Sequence, residues 1–159
     1  MRTVLAHGKH CKGQALVEMA IILPLLLLLV LGIFEFGRAM YIKNTLTNAA
    51  RAGARAAVVT YGISNSGQVA INPSCAYGDT PTGNNRVFVT ICRSLYSGID
   101  KTHVSSEITL TDANNNGISP DGGDLVKVRV TLSNYKPIVL NFIPGVPKTL
   151  SGDTAMRYE

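Results

Sequence analysis

The sequence predicts an α+β protein. A single N-terminal transmembrane helix continues into a long stalk helix, which packs on a small antiparallel β-sheet in the manner of a lollipop. Three observations predict it. Leu, Ile and Val crowd into residues 16–33, the stretch after Arg38 keeps a helical period without a strong breaker, and the C-terminal third alternates apolar and polar residues. The expected organisation is a basic leader at 1–13, a transmembrane helix at 14–37, a stalk helix at 38–61 and an α+β domain at 62–159.

The span comes first. Ala15 to Phe34 reads ALVEMAIILPLLLLLVLGIF, 20 residues with one charge. At the standard helical rise this covers about 30 Å, the thickness of a hydrocarbon core. A cleavable signal peptide also has a basic start and an apolar run. Here the run is longer than a usual signal core, and Glu35-Phe36-Gly37-Arg38 follows it instead of a small-x-small cleavage site. A retained anchor is expected. Basic residues flank both ends, so the charge rule is nearly balanced. The short N-terminal tail, the polar far-side domain and its cysteine pair favour an N-terminus inside.

Two residues within the span stand out. Glu18 lies about one turn inside, where an unpaired charge costs several kcal/mol. It implies either a positive partner on a neighbouring chain or a carboxylate snorkelling near the interface. Pro24 removes the hydrogen bond to the Ala20 carbonyl and is expected to bend or loosen the helix.

Composition excludes some functions. The net charge of +5 is front-loaded in Arg2, Lys9 and Lys12, there is no tryptophan, and no dense basic face remains for nucleic acid. His7, His10 and Cys11 fall short of a metal set. His103 with Ser105, Ser106 and Glu107 lacks the context of a nucleophile, so neither catalysis nor a cofactor is expected. Asp112-Ala-Asn114-Asn-Asn116-Gly117 copies the first half of a calcium loop, but Gly123 stands where the bidentate glutamate belongs. Asp121 or Asp124 could complete a ligand set for calcium, but an Asn/Gly-rich turn between strands accounts for the same residues without metal, and no metal site is assigned. Of three cysteines, Cys75 and Cys92 lie beyond the span and enclose 16 residues. A bridge there would add about 3 kcal/mol and suits an oxidising compartment, the alternative being two unrelated buried thiols.

At Gly13-Gln14-Ala15-Leu16-Val17-Glu18 the sequence resembles the processing site of type IV-like prepilins, a glycine with glutamate as the fifth residue after it. The longer stretch GQALVEMAIILPLLLLLVLGIFEFGRAMYIKNTLTNAARAGARAA is similar to the N-terminal signature of TadE-like pseudopilins of the tight-adherence, or Flp-type, pilus machinery. Met19 departs from the aromatic residue usual after the glutamate in Flp-class prepilins. The resemblance implies a type IV pilin-like fold and a minor pseudopilin at the bacterial cytoplasmic membrane. A prepilin peptidase would cut after Gly13, leaving Gln14 as the new N-terminus, and Glu18 would neutralise that amine on an adjacent subunit. The implied partners are the peptidase, Flp-type pilin, other Tad pseudopilins and an inner-membrane assembly platform. The alternative is a membrane-tethered ectodomain acting as a surface binding module outside any filament.

Beyond the span, Met40, Leu46, Ala50, Gly53 and Ala57 return to one helical face while Lys43, Arg51 and Arg55 gather on another. Small residues permit close approach, either of the chain's own domain or of another subunit. Subunit packing is expected of Glu18, Pro24, Gly32, Ala50, Gly53 and Ala57. Residues 62–85 read as a long loop. Asn85 is expected to cap a helix over Arg86–Tyr96, with Val87, Ile91 and Leu95 on one side and Gly98 beyond its end. Strands are expected at Glu107–Thr111, Leu125–Tyr135 and Leu150–Tyr158. The apolar connection Pro137–Pro147 is expected to fold over the sheet edge or to offer a contact patch.

Overall fold

The computed structural model describes residues 12–76, 78, 81–95, 97–115, 117, 120–137 and 148–158. One helix, α1 (Lys12–Val58), carries the first third of this and runs through Pro24 without interruption. Its 47 residues reach about 70 Å at the standard rise. It ends at Val58 rather than at residue 61. Thr60 N–H still bonds to the Ala57 carbonyl at 3.1 Å, and Gly62 then turns the chain with a φ of 76°.

Four strands follow: β1 (Ser66–Ala70), β2 (Val104–Thr111), β3 (Leu125–Leu132) and β4 (Leu150–Arg157). They form one antiparallel sheet in the order β1-β2-β3-β4. The sequence predicted three strands, and β1 is the addition. It lies within the expected 62–85 loop because Ser-Gly-Gln-Val-Ala has no alternation to betray it: four of its five residues are exposed. The other strands differ only at their ends, β2 starting earlier at Val104 and β3 and β4 stopping at Leu132 and Arg157.

The alternation of β3 has the orientation its sequence predicts. Val126, Val128 and Val130 are fully buried with Leu132 beside them, and Lys127 and Arg129 face out. On that outer face Lys127 meets Asp153 at 3.2 Å and Arg129 meets Glu107 at 3.9 Å, exposed pairs worth little individually. The inner face packs on α1, together with helix α2 (Asn84–Ser94), which presents Val87, Phe88, Ile91 and Cys92 to the core.

Helix α2 begins one residue before the expected cap. Asn85 is already inside it, and Gly83 occupies the cap position without a side-chain bond. Asn84 instead reaches across the chain. Its Oδ1 accepts from Ser64 N–H at 3.0 Å and its Nδ2 donates to the Ser64 carbonyl at 3.0 Å, tying α2 to the approach of β1.

The sheet lies alongside the stalk half of α1. At Gly152 the β4 backbone comes so close to Leu46 and Thr47 that any Cβ would overlap the helix main chain. Six residues on, the Tyr158 hydroxyl donates to the carbonyl of Thr60 at 2.8 Å. Strand β4 therefore runs in the same direction as α1. The turns at residues 98–103 and 133–136 lie at the anchor end, and the 112–124 turn lies at the far pole.

Candidate assembly and membrane site

The apolar span is the most accessible part of the molecule. From Gly13 to Phe34 every residue is exposed except Gly32, which is half-buried. The Leu16 and Leu25 side chains are each 72% exposed. A helix apolar all round and left this exposed by the described residues calls for an apolar solvent or other helices around it. One helix long and apolar enough to cross a membrane is present among the described residues, and this is it.

Of the residues expected to pack between subunits, Glu18, Pro24 and Gly32 all lie on this bare helix. A Cβ added at Gly32 would meet nothing within 4 Å. Gly13 and Gln14, the expected processing residues, lie in its first turn, also exposed. Ala50, Gly53 and Ala57 behave differently and correct the expectation. Ala50 and Ala57 are fully buried inside the chain's own domain. A Cβ at Gly53 would come within 2.6 Å of Ile91 Cγ1 on α2 and 3.3 Å of Val128 Cγ1 on β3. The small-residue face admits α2 and the sheet, so it is closed to a neighbour. Met40, expected on that face, is 42% exposed, because at about 100° per residue it points about 120° away from Leu46, while Glu35, Ala39 and Ile42 carry the buried face towards the span.

Where span becomes stalk, a polar cluster fastens the two halves. Glu35 is 2% exposed, and the Tyr135 hydroxyl donates to its Oε1 at 2.6 Å. Arg38, one turn further along α1, sits 3.8 Å from the same oxygen. Its Nη1 donates to the Lys136 carbonyl at 3.2 Å, and its guanidinium lies 5.5 Å from the centre of the Tyr135 ring. A buried carboxylate needs such partners. Burial, then the bond to Glu35, pushes the Tyr135 phenol up to about 12. Tyr158, at the opposite pole, is also raised by burial.

Sequence reasoning did not pair these groups, since Glu35 and Tyr135 are 100 residues apart. A usable signal existed locally. An acid directly after an apolar run, with Arg three residues on, marks a carboxylate too close to lipid to stand alone.

The remaining candidates lie in the following surroundings. Cys75 and Cys92 form a disulfide that fastens the 72–76 turn to α2, with Cα atoms 5.6 Å apart. In the 112–124 turn, Asp112 accepts from the backbone N–H of Asn115 and Gly117, and Asp124 accepts from Ala113 and Asp121. These carboxylates close turns. His103 lies 3.8 Å from Asp100, whose carboxyl is held below its usual range by hydrogen bonds from Thr102, with the nearby His103 adding to the effect. Of the apolar connection 137–147, residues 138–147 lie outside the described residues. Its flanks lie together at the anchor end, where Tyr135 N–H donates to the Lys148 carbonyl at 2.6 Å.

Neither a curated protein nor a solved structure matches the chain. A protein-family model does match, and it covers the anchor and most of the stalk but none of the sheet. Residues 13–55 are similar to the family described as TadE-like protein.

Proposed function

We propose that this chain is a minor pseudopilin, a non-catalytic assembly component of a tight-adherence pilus. It is anchored in the bacterial cytoplasmic membrane with its N-terminus inside and its α+β domain on the outer side. The observation that carries this reading is the bare span, exposed from Gly13 to Leu31, which holds one carboxylate near its start and continues into a stalk clamped to a sheet.

Removal of residues 1–13 by a prepilin peptidase would free an ammonium at Gln14, four residues before Glu18. A neighbouring subunit displaced along the bundle would then set its Glu18 against that amine. In a low-dielectric surrounding such a pair attracts strongly, and leaving either partner alone is costly. The pair thereby fixes axial register against Flp-type pilin or another Tad pseudopilin, with lateral contact through Pro24 and Gly32. The inner-membrane assembly platform would act on the assembled bundle.

Glu18→Ala tests this. The variant should still resist carbonate extraction from membranes yet fail to support piliation, and normal piliation would overturn the mechanism. Intact mass of the purified protein is the second test. Loss of residues 1–13 supports the pilin route, whereas a full-length chain favours a tethered binding module outside any filament.

A further inference from the structure

A cavity of about 230 Å³ opens beside the Glu35–Tyr135 clamp, lined by Arg38, Ile99, Asp100, His103, Tyr135 and Lys136 among others. Its depth relative to a bilayer follows from the helix. Arg38 lies four residues past Phe34, so the cavity begins about 6 Å beyond the end of the apolar run. That is the zone of headgroups, which adds roughly 5–7 Å to each side of a hydrocarbon core. The clamp and the Arg38 bond to the Lys136 carbonyl prevent the domain from swinging this opening away from the surface.

The lining is chemically two-sided. Arg38 and the exposed Lys136 both line it and bring two cationic side chains to its rim, and the guanidinium keeps donors beyond the one given to the Lys136 carbonyl. Asp100 brings a carboxylate from the turn before β2, with 64% of its side chain exposed. The volume is too small for a whole lipid and suits a headgroup. A wholly cationic pocket would select anionic lipids, whereas an added carboxylate favours a ligand carrying both signs.

We propose that this cavity binds the headgroup of an aminophospholipid from the surrounding leaflet, with the phosphodiester at Arg38 and Lys136 and the primary ammonium at Asp100. The inference rests on the membrane placement proposed above, not on entry into a filament. Bound lipid would fix the tilt and depth of the stalk before any subunit contact.

The test uses the full chain in nanodiscs of equimolar phosphatidylethanolamine and phosphatidylglycerol, with lipids retained on gentle release read by native mass spectrometry. Vesicle flotation runs in parallel. The wild-type chain should retain phosphatidylethanolamine in preference to phosphatidylglycerol. Lys136→Gln should lower retention about fivefold. Asp100→Asn should keep lipid but lose the preference. Both side chains are exposed, and asparagine preserves an acceptor for Thr102, so both variants fold. No enrichment in the wild type, or unchanged retention in both variants, overturns the proposal. Displacement of the lipid by added inorganic phosphate overturns the lipid source. A chain that fails to float overturns the membrane placement as well, whereas one that floats without enrichment sinks the headgroup site alone.

Discussion

Tyr135 and Glu35 meet hydroxyl to carboxylate at 2.6 Å, joining the chain just after β3 to the last turn of the apolar span. Both groups are buried, so the bond is made where water cannot substitute for it. The long apolar helix is thereby held to the sheet and is not a free tether.

Removing the hydroxyl should therefore be costly. Tyr135→Phe leaves the ring and its contact with Arg38 but deprives Glu35 of a short donor, a loss of about 1–3 kcal/mol. Denaturant unfolding in detergent, followed by circular dichroism, measures it. An unchanged midpoint would show that the other partners of Glu35 satisfy the carboxylate.

The same phenol sets an alkaline limit. Its folded value is raised to about 12 from an ordinary 10. The neutral form is thus favoured by folding, and this stabilisation is complete below pH 10 and declines between pH 10 and about 12. Tyr135→Phe should reduce the slope of the stability profile across that window, leaving the part contributed by Tyr158, which burial also raises. A wild-type profile already flat there would contradict the assignment.

Two glycines should respond oppositely to alanine. Gly53→Ala drives a methyl into Ile91 and should cost on the order of 1–3 kcal/mol through overpacking. Gly32→Ala meets open space and gains helix propensity, so the isolated subunit should be no less stable. If Gly32→Ala nonetheless lowers pilus yield, the defect lies between subunits. Thermal melts of the two purified variants separate the cases.

Reduction of Cys75–Cys92 removes a tether across a sequence separation of 17. A loss of about 3 kcal/mol is expected on cross-link entropy grounds. The comparison is between Cys75→Ser/Cys92→Ser and wild type in unfolding experiments. Equal stabilities would mean that packing of α2 against Gly53 and Val128 suffices by itself.

Much of this architecture was legible because it rests on periodicity. Val126, Val128, Val130 and Leu132 alternate over a half-buried strand, and residues 15–34 form the long apolar helix that their composition predicts. β1 escaped notice because an edge strand exposed on both faces carries no burial pattern. Asn84 and Asn85 are adjacent and chemically identical, so local rules could not decide which one acts. Nor could composition say whose surface fills the Ala/Gly face. The 2.6 Å approach of Ile91 to a hypothetical Gly53 methyl answers it, and that contact exists only after α2 folds back.

The direction of β4 has a practical consequence. Because this strand climbs the stalk away from the anchor, Tyr158 ends up beside Thr60, twenty-two positions above Arg38. At the helical rise that is roughly 33 Å. With the membrane placement proposed above, a fluorescent label or epitope joined behind Tyr158 would be displayed well clear of the lipid, and its accessibility to an antibody applied from outside would test the orientation of the domain.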